Sequence, residues 1–149
     1  MVDFRASEMI HRPIEEVFSF LSNLENAPNL LPFVVGMEKL SNGPVGHGSC
    51  FLETRLVRRR RIQAEVEITE FHRPTAFTFK NISNGVEILY HYTFSPIEEG
   101  TQVEMEAEVK TEGLLSFLTK KQLVKIIKNE DGGQLQKLKE VLEKEEIHT

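Results

Sequence analysis

Residues 61–71 read RIQAEVEITEF, and their strict alternation decides the fold class. Ile62, Ala64, Val66 and Ile68 share one side; Gln63, Glu65, Glu67 and Thr69 share the other. Successive side chains of an extended chain point to opposite faces. This segment is therefore a strand with one dry and one wet face, as in an antiparallel sheet covered on a single side. The same period returns downstream. Val86, Ile88, Tyr90, Tyr92 and Phe94 fall on one face of a sixth strand. Val103, Met105, Ala107 and Val109 alternate with Glu104, Glu106, Glu108 and Lys110 in a seventh. Phe77 and Phe79 mark the fifth, and Asn84-Gly85 after it is the strongest hairpin signal in the chain.

Towards the N-terminus, Ser49 to Val57, Val34 to Leu40 and Val2 to Ile10 read as three further strands separated by Gly, Pro, Asn and Ser. Between the first two in chain order, Pro13 suits the first turn of a helix. Glu15 and Glu16 lie at its positive end, and Val17, Phe18, Phe20 and Leu21 form its apolar stripe. Asn23 to Pro32 has room only for a second short helix or a turn. Beyond Gly113 the period becomes helical. Leu114, Phe117, Leu118, Val124, Ile127, Leu135, Leu138 and Leu142 keep to one stripe, interrupted at Gly132-Gly133. Each glycine costs about 1 kcal/mol relative to alanine inside a helix, so a kink or break is expected there.

A one-faced sheet needs one cover, and the last helix is the only element long enough to supply it. A twisted sheet of seven strands curls, and its concave side is wider than one helix. Side chains or a ligand must fill the space beside that helix. The expected class is α+β, with residues 1–149 forming a single domain.

The fragments along this order resemble the SRPBCC superfamily, the START-like helix-grip proteins, and among them the polyketide cyclase/dehydrase-type branch. The resemblance is carried by Ala6-Ser7, by His11-Arg12-Pro13-Ile14-Glu15-Glu16-Val17-Phe18 and by Asn23 to Pro32. It continues in Gly46-His47-Gly48-Ser49, in Glu65 to Phe71 followed by Pro74, in Gly100-Thr101 and in the closing Leu135 to Leu142 helix. It implies a helix-grip fold: a seven-stranded curved antiparallel sheet around a long C-terminal helix, with two short helices between strands one and two. It also implies a cavity for a sterol, polyketide, quinone or similar hydrophobic molecule, without implying one chemistry.

Composition excludes several other classes. The net charge of −5 and pI near 5.6 disfavour a nucleic acid partner. The lone Cys50 excludes an internal disulfide and fits a reducing, cytoplasmic setting. The start MVDFRASEM lacks the apolar core of a signal peptide, and the longest apolar run, Leu30 to Val35, is too short to span a membrane. His11, His47, His72, His91 and His148 show no metal-ligand spacing, so neither a metal nor another cofactor is expected. A homodimer is left open.

Tyr90 and Tyr92 are the leading site candidates, because each places a hydroxyl on the face expected to be buried. Phe79, Met105, Leu52 and the Phe117-Leu118 turn are expected around them as the larger residues of neighbouring apolar faces. Leu52 depends on register. An even-length turn after Val57 places Phe51, Glu53 and Arg55 on the face of Ile62; an odd one places Cys50, Leu52, Thr54 and Leu56 there. The apolar pattern favours the second. Arg58 to Arg61 reads as a solvated hairpin tip balanced by nearby glutamates, with a clamp for an anionic ligand or lipid headgroup as the other reading. Asp131 falls near the helix stripe, where a break at the glycines would turn it to solvent.

The expected function is a binding or carrier module for a small hydrophobic molecule that is lipid-, polyketide- or quinone-like. A cyclase or dehydratase acting on a polyketide-like substrate is the alternative, disfavoured because no inward acid–base pair is recognisable. An accessory protein of a larger redox enzyme is a third reading.

Overall fold

The computed structural model describes residues 2–111 and 119–147. Seven antiparallel strands form one sheet in the order β1-β7-β6-β5-β4-β3-β2. They are β1 (Phe4–Ile10), β2 (Val34–Lys39), β3 (Cys50–Val57), β4 (Arg60–His72), β5 (Ala76–Ser83), β6 (Val86–Ile97) and β7 (Gly100–Thr111). Between β1 and β2 lie α1 (Ile14–Ser22) and a short 3-10 helix (Leu24–Asn29). The chain closes with α2 (Lys120–Asp131) and α3 (Gln134–Ile147). The expected α+β arrangement is present, with the C-terminal helix kinked between Asp131 and Gln134. Leu114, Phe117 and Leu118 lie outside the described residues.

The alternation read from the sequence is the burial pattern. Ala64, Val66, Ile68, Tyr90, Tyr92, Phe94, Val103, Met105, Ala107 and Val109 are buried, while their neighbours face outward. A bulge in β4 between Ile68 and Glu70 shifts the parity, so that Phe71 pairs with Phe77 on the inner face. Asn84 and Gly85 make the expected two-residue hairpin, with φ of 50° and 78°.

The β3–β4 connection overturns the favoured register. Val57 pairs with Arg60, leaving the two-residue turn Arg58-Arg59. Opposite Ile62, Ala64 and Val66 therefore stand Arg55, Glu53 and Phe51. Leu52 points outward, as does Cys50, which is only half-buried. Phe51 is fully buried, and Glu53 and Arg55 are tolerated inside because they pair with each other.

Gly132 retains helical dihedrals, and its N–H donates to the Lys128 carbonyl at 2.8 Å. A Cβ at this position would lie 2.4 Å from that carbonyl oxygen, so glycine is required for the close approach. The kink keeps Asp131 directed inward, with 2 % of its surface exposed, rather than releasing it to solvent.

Candidate functional site

The concave face is dry at one end and polar at the other. At the dry end, Phe18 of α1 inserts edge-on among Phe71, Phe77 and Phe94, with centroids 5.2, 5.8 and 5.1 Å away. The aromatic layer continues through Phe77 on Tyr92 at 4.7 Å and Phe79 on Tyr90 at 5.0 Å. There the two tyrosines hand over to a buried polar cluster.

Arg55 stands at its centre. Its Nε donates to Glu53 at 2.8 Å, and its Nη1 donates to Asp131 at 3.0 Å and Glu130 at 3.1 Å. Asn81 Nδ2 donates to Glu53 at 3.1 Å. From the sheet, the Tyr90 hydroxyl donates to the second oxygen of Asp131. The Tyr92 hydroxyl donates to Gln134 Oε1 at 2.5 Å, and Gln134 Nε2 donates back to the Asp131 carbonyl at 3.1 Å. No buried side-chain nitrogen or oxygen among the described residues lacks a partner. The cluster thus joins β3, β5 and β6 to the kink between α2 and α3.

Burial shapes its protonation. Desolvation alone would lower the Arg55 pKa, but Asp131 and Glu53 together outweigh it and hold the guanidinium charged. Tyr90 and Tyr92 are pushed well above their ordinary value, by burial first and by Asp131 second. Glu130 is raised by burial and by Asp131, against the pull of Arg55. One guanidinium thus faces three carboxyl groups.

The cluster walls a cavity of about 30 Å³, room for one or two waters, whose other lining includes Leu21, Leu24, Leu30, Leu31, Met37 and Phe79. On the far side of the same wall, an open groove of about 260 Å³ runs between the β3–β4 hairpin and α2. Glu53, Arg55, Asn81 and Asp131 line both. The ion cluster is therefore a partition between an inner cavity and an outer groove.

Of the residues expected at the site, Tyr90, Tyr92 and Phe79 line the cavity. Met105 is fully buried but stands one strand further on, opposite Tyr92 in β7 and away from the cavity lining. Leu52 lies on the outer face, and Phe117 and Leu118 are outside the described residues. Sequence reasoning missed Glu53, Arg55, Asn81 and Gln134, and it assigned Asp131 no place in the site. The two-residue Arg58-Arg59 turn forces the even register, and its sequence carries no Asn-Gly or Asp-Gly signal that could have announced it. The sequence likewise shows no sign of the inward hydrogen bond between Tyr90 and Asp131. Among the described residues no group of acids, histidines or cysteines is placed to hold a metal, and no helix is long and apolar enough to cross a membrane.

Solved structures share this fold at low sequence identity. The ZhuI aromatase/cyclase of Streptomyces sp. R1128 superposes with a TM-score of 0.77 at 10% identity, over 94% of this chain and 92% of that one. A protein of Thermus thermophilus gives 0.73 at 19% identity, over 91% and 93%. The di-domain aromatase/cyclase StfQ of the steffimycin biosynthetic pathway gives 0.75 at 14% identity, over 95% of this chain and 50% of that one. No curated protein sequence matches the chain. The family described as polyketide cyclase / dehydrase and lipid transport matches residues 1–143, and the chain belongs to that family.

Proposed function

We propose that the protein binds or carries a small hydrophobic molecule between its sheet and its C-terminal helices, with the molecule's polar end held by the Arg55 cluster. The observation that carries this reading is the shared wall. Parting Arg55 from Asp131 joins the inner cavity to the outer groove, giving one apolar pocket with a few convergent polar groups. α2 is the wall best suited to move. Ile127 and Asp131 are its only buried residues, whereas α3 buries Leu135, Leu138 and Leu142 completely. Gly132-Gly133 is the joint between them.

Titration with an environment-sensitive apolar dye tests the reading in wild type and in Tyr92→Leu. The substitution leaves a smaller apolar side chain and removes the hydroxyl. Loss of one hydrogen bond, about 1 kcal/mol, weakens binding roughly fivefold. No binding by the wild type, or equal affinity in both, would overturn the reading. Native mass spectrometry of the purified chain identifies the class of any retained molecule.

The Asp131–Tyr90 pair favours a second reading, a cyclase- or dehydratase-type enzyme. Asp131 would take a proton beside a substrate carbonyl while Tyr90 and Arg55 donate to the oxygen that gains charge. Turnover of a polyketide-like substrate, abolished in Asp131→Asn with dye binding retained, would establish it.

A further inference from the structure

The same hairpin that brings Arg55 inward carries four more arginines outward. Between Thr54 and Ala64 the chain has five arginines and no acid, within a protein of net charge −5. Arg58, Arg59, Arg60 and Arg61 are all exposed. The glutamates expected to balance them do not: no ion pair involves any of the four among the described residues.

The turn itself is expensive in this sequence. Arg58 and Arg59 have φ of 50° and 67°, a left-handed pair that disfavours side chains with a Cβ. The β5–β6 hairpin meets the same geometry with Asn84-Gly85, the pair best suited to it. Arginines therefore occupy positions where local conformation argues against them, which points to a use for their charge. Apolar side chains flank them. Leu56 is 44 % exposed and Ile62 37 %, and Ile126 of α2, on the other side of the groove, is 41 % exposed.

We propose that the β3–β4 hairpin tip, with the adjoining exposed edge of α2, docks the protein on an anionic lipid surface. Cationic heads beside exposed apolar side chains match the boundary between headgroups and acyl chains. A nucleic acid is a poorer fit, because an extended polyanion would also meet the outward Glu65, Glu104 and Glu106. A flat membrane touched at the tip avoids them. The surface does not depend on what the cavity holds, so dye binding and docking fail separately.

Sedimentation of the full chain with vesicles tests the proposal, using phosphatidylcholine alone and an equal mixture with phosphatidylserine. Binding is expected only to the mixture and is expected to fall as salt rises. Arg58→Asn with Arg59→Gly removes two charges while giving the turn its preferred residues, so the fold is favoured as docking weakens. At about fivefold per arginine, the double variant should partition roughly 25-fold less. Ile62→Ser should weaken docking further without changing its salt dependence. Equal binding by the double variant, no binding by the wild type, or retention by an RNA oligonucleotide instead of the vesicles would overturn the proposal. So would displacement by millimolar soluble phosphoserine, which would make the arginines a small-anion site.

Discussion

The two ends of the concave face solve the same problem by different means. Around Phe18 the sheet is closed by aromatic rings packed edge-on, with the half-exposed Arg73 guanidinium lying over the Phe18 ring at 5.1 Å from its centroid. Around Arg55 it is closed by ions and hydroxyls whose buried polar atoms all find partners on one another. The first end derives its stability from area and close packing, which is insensitive to pH. The second holds charges that were costly to bury and that an incoming polar group can exchange. Ion clusters of this kind add little to stability when complete but cost much when one partner is removed. The dry end is built to stay shut, and the polar end to be reopened.

The largest effect expected from this contrast is at the dry end. Phe18→Ala should cost about 3–5 kcal/mol, read as a lower denaturant midpoint with unchanged slope and no dependence on pH. A loss below about 1 kcal/mol would show that the end collapses around the gap.

Arg55→Met should cost about 3 kcal/mol at neutral pH by leaving Glu53 and Asp131 buried without their cation. The loss comes from uncompensated buried charge, so the deficit should be largest where both carboxylates are ionised and shrink once acid has protonated them. A deficit independent of pH would break the comparison between the ends.

Tyr90 and Tyr92 are the only tyrosines, so ultraviolet titration reports on them alone. Their ordinary value is 10.0, and both are raised in the fold. Stability linked to them is complete below pH 10.0 and declines as pH rises beyond it, because the unfolded chain then releases protons that the native one retains. The phenolate signal should appear only with unfolding. Ionisation of either ring in the native state near its ordinary value would show the polar end open to water.

The smallest effect belongs to Glu130→Gln. Its carboxylate is raised above 4.5 by burial, so folding disfavours its charge. Removal should change stability by at most about 0.5 kcal/mol, favourably, and only above that ordinary value. A clear loss would mark Glu130 as a necessary partner of Arg55.

Legibility followed the same division. Rules of burial count apolar residues, and they placed Val66, Tyr90, Tyr92 and Phe94 on the inner face because those residues follow the strand period. The same counting preferred Leu52 and Leu56 over Glu53 and Arg55, and so chose the wrong register for β3. No local pattern announces an ion cluster, since its members come from residues 53, 55, 81, 90, 92, 130, 131 and 134 and meet only in space.

The sequence by itself determined the order of elements, the inner face of β4, β6 and β7, and the Asn84-Gly85 hairpin. These depend on side-chain period and on the dihedral preferences of single residues, which are properties of the local chain. Only the tertiary structure decided that Glu53 and Arg55 turn inward, that Gly132 lets Asp131 meet Tyr90, and that the cavity is nearly closed. Those outcomes rest on charges and volumes contributed by distant segments, whose cost or benefit exists only once the sheet and the last helices are packed together.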